Sequence, residues 1–241
     1  MFDRRRLGIA VAAGLLGAAG VAGCSTGSSS SSGNTTGITT HNGATSFSAA
    51  QLRKALLTRI NGVGPAMKAD AGAYATLPEI KAARAQMAGV TVQPKGCLQA
   101  TVLEGADLDT GALNGSPAAV VNFKVGTNGV SEVLAAPKDS ATAAALGKAI
   151  APGCASYTAT AGGNTYKYSF KQSWAKGIGL KQARVLNITT EVSGQSDIVW
   201  SVLFQGNGFV GALTVAGPNA SRAAVQELGT QGYEYAAKAL S

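Results

Sequence analysis

The sequence predicts an α+β fold: an antiparallel twisted sheet with helices on one face, braced by one disulfide. Three observations carry this expectation. Apolar residues with helical spacing stand at both ends of the region after residue 46. Between them lie short alternating runs separated by Gly- and Asn-containing turns. Two cysteines, Cys97 and Cys154, stand outside the N-terminal segment. Short alternating runs joined by tight turns pair antiparallel, and helices segregated to the ends of such a run pack on the sheet.

The chain has 241 residues, 46% of them hydrophobic, enough for one ordinary domain with accessory segments. The N-terminal segment has three parts. Arg4, Arg5 and Arg6 form a positive cluster, Leu7 to Ala22 is apolar and uncharged, and small residues precede Cys24. This is the architecture of a secretory signal. Its end, Val21-Ala22-Gly23-Cys24, resembles the lipobox of bacterial lipoproteins. The resemblance implies cleavage before Cys24, a diacylglycerol on its thiol and further acylation of the new amino group. Several acyl chains hold a protein to a membrane stably, where one chain does so only marginally. Residues 25–45 are Ser-, Gly- and Thr-rich and hold too little apolar surface to offset the entropy of ordering. They read as a tether with an end-to-end distance of roughly 25 Å. The expected organisation is a signal peptide over 1–23, a lipidated tether over 24–45 and one α+β domain over 46–241. The expected location is the cell membrane, lipid-anchored on its extracytoplasmic face.

Ser48 and Gln51 fit a capping box, and Leu52, Leu56, Leu57 and Ile60 follow at helical spacing up to Gly62. Leu77-Pro78-Glu79-Ile80 opens a short helix to Met87. The chain after Cys97 reads as extended. Val120–Val125 and Val130–Leu134 form a hairpin around Asn128-Gly129, because both residues of that pair tolerate positive φ. Residues 138–150 read as a helix. Strands follow at 157–160, 166–171, 183–192, 198–205 and 209–216. A final helix, capped by Asn219, runs to Leu240.

An exported domain with two remaining cysteines pairs them, so a Cys97–Cys154 bridge is expected. It closes a long loop, which the chain-entropy account values at roughly 4 kcal/mol.

The layout resembles the extracellular sensor domain attached to some mycobacterial serine/threonine kinases (PknH-like), also found in free-standing actinobacterial lipoproteins. The residues that carry the resemblance are the first helix with Leu52, Leu56 and Ile60, Gln93-Pro94-Lys95-Gly96-Cys97, and Ala149-Ile150-Ala151-Pro152-Gly153-Cys154. The hairpin over 198–215 before the last helix completes it. Kinase-attached members carry two disulfides, and this chain can form one. The resemblance implies sensing of an extracellular ligand in a broad cleft. No kinase motif occurs in the chain, so signalling would require a partner.

Catalytic signals are few. The sole histidine, His41, lies in the tether and reads as a linker residue. A Ser-His-Asp or Cys-His site therefore has no histidine in the domain. Zinc-ligand spacing is absent, and Glu104, Asp107 and Asp109 do not follow the calcium-loop pattern, so neither a cofactor nor a metal is expected. Net charge is +8. Arg4, Arg5, Arg6 and Asp3 fall in the first 23 residues, leaving 17 Lys+Arg and 11 Asp+Glu in the rest. Those lysines are scattered, which argues against nucleic-acid binding, since binders concentrate basic residues on one face.

The aromatics are the candidate ligand contacts. Tyr166 and Tyr168 share a strand face with Phe170, and Trp174 stands in a glycine-containing loop. Trp200 and Phe204 read as core. The function expected is a non-enzymatic ligand-binding or sensing module, membrane-held through its lipid. Its partner would be a small molecule, an envelope glycolipid or a protein. The alternative is a carrier of lipid or another hydrophobic ligand in the envelope. A third reading, a glycan hydrolase working with carboxylates alone, needs two facing acids about 5–10 Å apart. Its candidates are Glu104, Asp107, Asp109, Asp139, Glu191 and Asp197.

Overall fold

The computed structural model describes residues 40–41, 44–45, 47–87, 89–97, 113–138, 152–180 and 183–241. The signal segment, Cys24, the carboxylates Glu104, Asp107, Asp109 and Asp139, and all but the first residue of the 138–150 helix lie outside them. So does most of the extended chain after Cys97.

The first described elements are two-residue strands, β1 (Thr40–His41) and β2 (Ala44–Thr45), paired antiparallel at the end of the predicted tether. Helix α1 spans Ala49–Ala55. Its capping box forms as expected: Ser48 Oγ accepts from the Gln51 N–H at 3.3 Å, and Gln51 Oε1 accepts from the Ser48 N–H at 2.9 Å. The helix ends earlier than its apolar spacing predicts, because Leu56 turns extended. The Leu57 N–H then donates to Glu132 Oε2 at 2.7 Å instead of continuing the helix. Leu56, Leu57 and Ile60 stay buried on this extended exit.

The remaining elements are β3 (Asp70–Ala73), α2 (Pro78–Met87), β4 (Thr91–Gln93), β5 (Pro117–Val125), β6 (Asn128–Ala135), β7 (Ser156–Ala161), β8 (Asn164–Ala175), β9 (Ala183–Val192), β10 (Gln195–Gln205), β11 (Val210–Ala216) and α3 (Arg222–Ala239). Pro78 opens α2 at the position where its missing N–H costs nothing. Two predicted details change. The β5–β6 turn is Gly126-Thr127, with Asn128 and Gly129 already paired to Val125 and Lys124. Gly126 supplies the positive φ, at 62°. The cap of α3 is Ser221, whose hydroxyl accepts from the Ala224 N–H at 3.2 Å, and not Asn219. Asn219 instead donates from its backbone N–H to Asn128 Oδ1 and from Nδ2 to Thr127 Oγ1.

Nine strands form one antiparallel sheet in the order β3-β5-β6-β11-β10-β9-β8-β7-β4. The fold is α+β, as expected. On one face, α1 and α3 pack over the middle of the sheet. Leu52, Val225, Leu228 and Ala236 meet Val121, Phe123, Leu134, Val202, Phe204 and Leu213 there. The helical cover is divided, however. Leu77 and Ile80, at the start of α2, join Val120, Val133, Ala212 and Leu203. Those strand residues alternate with the first set, so α2 lies on the opposite face. A third cluster, also on that face, contains Val92, Tyr157, Tyr166, Tyr168, Phe170 and Ile188. The first face is left open over β8, where Thr165, Lys167, Ser169 and Lys171 are exposed. One solvated face is ordinary for an antiparallel sheet.

Candidate functional site

The disulfide forms between Cys97 and Cys154, with a Cα–Cα separation of 5.2 Å. It joins two short 3₁₀ turns, Lys95–Cys97 after β4 and Pro152–Cys154 before β7. Both cysteines pack into the third cluster. Sulfur therefore serves the hydrophobic interior here as well as the cross-link.

The predicted aromatic contacts divide. Tyr166 and Tyr168 are each 2% exposed. Tyr157 stacks on Tyr168 at 5.0 Å and on Phe170 at 5.4 Å. A strand face with period two reads equally well as binding surface or core. The structure places these rings in the core, because β7 and β4 bring Tyr157, Ala159 and Val92 across from them. A ring this deeply buried presents no contact surface to a ligand, which corrects the expectation for Tyr166 and Tyr168. Phe204 is core as expected, while Trp200 is half-buried at its border.

Trp174 is 44% exposed. It belongs to β8 and not to a loop, since the strand continues to Ala175. Alternation puts Ala175 into the core on the α1/α3 face and Trp174 on the other, directly opposite Arg184 of β9. Arg184 is 2% exposed, and burial pulls its guanidinium down to about 10. It remains a cation at neutral pH.

The segment after β8 is firmly held. Ile178 is buried among the first cluster. Gly179 adopts φ +89°, and a Cβ there would stand 2.8 Å from the Gln205 carbonyl oxygen. The Leu180 N–H donates to that same oxygen at 2.7 Å. Leu180 itself is 62% exposed. Trp174 and Leu180 are thus large apolar side chains displayed from anchored backbone, with Arg184 beside the former. Exposed aromatic side chains are frequent binding contacts where they are presented rigidly. Leu180 and Arg184 were not singled out from the sequence. Arg184 had a signal, since it alternates with Leu186 and Ile188 and so shares their apolar face.

The two described carboxylates among the hydrolase candidates, Glu191 and Asp197, do not face each other. Glu191 lies opposite Ser196 and Asp197 opposite Thr190, so these neighbours in register project to opposite faces. Among the described residues no group of three or more His, Cys, Asp or Glu is placed to hold a metal ion. Nor is any helix among them long and apolar enough to cross a membrane.

The molecule belongs to the α+β class, with a broad antiparallel sheet of nine strands. Its fold is shared with the extracellular domain of PknH from Mycobacterium tuberculosis, at a TM-score of 0.53 and 15% identity, over 82% of this chain and 98% of that one. A putative uncharacterized protein from Mycobacterium smegmatis, an Rv0999 ortholog, aligns at a TM-score of 0.38 and 13% identity, over 74% of this chain and 84% of that one. No family model and no curated protein matches the chain.

Proposed function

We propose that the protein is an extracytoplasmic lipoprotein, held to the membrane through Cys24, whose domain is a non-enzymatic ligand-binding or sensing module. The fold it shares with the extracellular domain of PknH is the observation that carries this reading. The lipobox at Val21–Cys24 and the Cys97–Cys154 bridge support it, because both fit an oxidising location outside the cytosol. The contact surface is centred on the exposed Trp174. Its chemistry suits a ligand with an apolar or aromatic part.

Two measurements test the proposal. Cys24→Ala should move the protein from the membrane fraction to the soluble fraction. Retention of the variant at wild-type level would remove the lipid anchor from the reading. Trp174→Ala should abolish the binding of an envelope-extract component that wild-type protein retains. Equal retention by both would remove Trp174 from the contact surface. Mass spectrometry of organic extracts of the purified protein identifies the alternative: stoichiometric lipid marks a carrier.

A further inference from the structure

Glu132 is the only acidic side chain among the described residues that is fully buried. It stands on β6 in the middle of the sheet, opposite Val121 of β5 and Leu213 of β11, and faces the α1/α3 layer. Its Oε2 accepts from the Leu57 N–H at 2.7 Å, at the extended exit from α1. Its Oε1 has no hydrogen-bond partner. Gly232 of α3 lies over that oxygen, where a Cβ would stand 2.9 Å from it. One carboxyl thus meets the chain leaving α1 and the underside of α3, from a strand paired on both sides.

The charged form is poorly served in this place. A carboxylate accepts several hydrogen bonds and this one receives one, in a site without water-exposed surface. The titratable groups of the surrounding elements do not offset it. Arg53, Lys54 and Arg59, in and after α1, are exposed, as are Arg222, Glu227, Glu234, Tyr235 and Lys238 of α3. Tyr233 is half-buried and turns its ring to Phe204. On β3 and β5, Asp70 and Lys124 lie on the opposite face of the sheet. β11 has no titratable residue. None of these groups is a partner of Oε1.

We propose that Glu132 is a proton-dependent latch. Its neutral carboxyl sits beneath α3 with no charge to solvate, and loss of its proton leaves a buried charge with one hydrogen bond, which opens the helical layer over β6. Burial pushes the group up to about 8, opposed only by the Leu57 N–H. The unfolded carboxyl titrates near about 4.3. The folded state then binds the extra proton between these values. Its stability is complete below the lower value, falls as pH rises toward 8, and is level above it.

The test compares wild-type full-length protein with Glu132→Gln, which keeps the shape and the acceptor but never ionises. The folding equilibrium constant of wild type should fall relative to the variant by up to about tenfold per pH unit between about pH 5 and 8. Exchange of the Leu57 amide, each pH referenced to the variant, should quicken over the same range. Parallel profiles for the two proteins overturn the latch. If Glu132→Gln does not fold, the ¹³C signal of the Glu132 carboxyl in wild type decides. A midpoint above about pH 6 supports the latch, and one below that overturns it.

Discussion

Gly229 of α3 rests directly on Val202 of β10: a Cβ built on the glycine would stand 2.4 Å from Val202 Cγ1. The helix owes its closeness to the sheet to this missing side chain. Gly229→Ala should therefore destabilise, although Ala is the better helix former by about 1 kcal/mol. Forcing a methyl into a packed interface costs about 1–3 kcal/mol. A lowered urea midpoint at unchanged slope checks this; a raised midpoint would show that α3 can shift freely.

Removing the bridge has a larger effect. Cys97 and Cys154 are 57 residues apart in sequence. Closing a loop of that size stabilises by about 4 kcal/mol in the chain-entropy account. The double substitution Cys97→Ser, Cys154→Ser should lower the thermal midpoint by many degrees. Reducing agent should do the same to wild type and nothing to the variant.

Asn128 ties a hairpin turn to the lead-in of α3. Its Oδ1 accepts from the Asn219 N–H at 3.2 Å and closes on Gly217, which adopts φ +134°. Asn128→Ala should cost about 1 kcal/mol, the usual worth of one such bond. The loss should be read as faster amide exchange at Asn219, with the first turn of α3 still capped by Ser221.

Glu79 gives a second, weaker pH effect. Desolvation raises its carboxyl, its own backbone N–H opposes that, and Asp70 adds to the rise. A raised folded value means that stability drops as pH climbs from the ordinary carboxylate value through the folded one. On a Glu132→Gln background, Glu79→Gln should flatten what remains of that slope in urea titrations. An unchanged slope would show that the half-exposed carboxyl is adequately hydrated.

Much of the architecture was legible in the chain. β9 spans Ala183–Val192 as its composition predicts, and the capping box at Ser48 marked the start of α1. The ends that failed were decided by distant partners. α1 stops at Ala55 because Glu132, 75 residues away from Leu57, takes the next amide. β3 and β4 are too short to show a period, and only pairing with β5 and β7 makes them strands. Tyr166 and Tyr168 face one way by alternation, yet whether that way is solvent or core depends on Tyr157 and Val92, which arrive from other strands. Glu132 was the readable exception. It alternates with Val130 and Leu134, so its place on an apolar face was there to be seen.

The brevity of the outermost strands governs how these molecules behave beside one another. β3 spans four residues and β4 three, and each pairs with only part of its longer neighbour. Beyond β3, the Ala66 amide already occupies the Asn122 carbonyl. The two outermost strands themselves therefore offer little ladder for a neighbouring copy to extend. A copy that approached either outer strand would find only three or four residues to pair with.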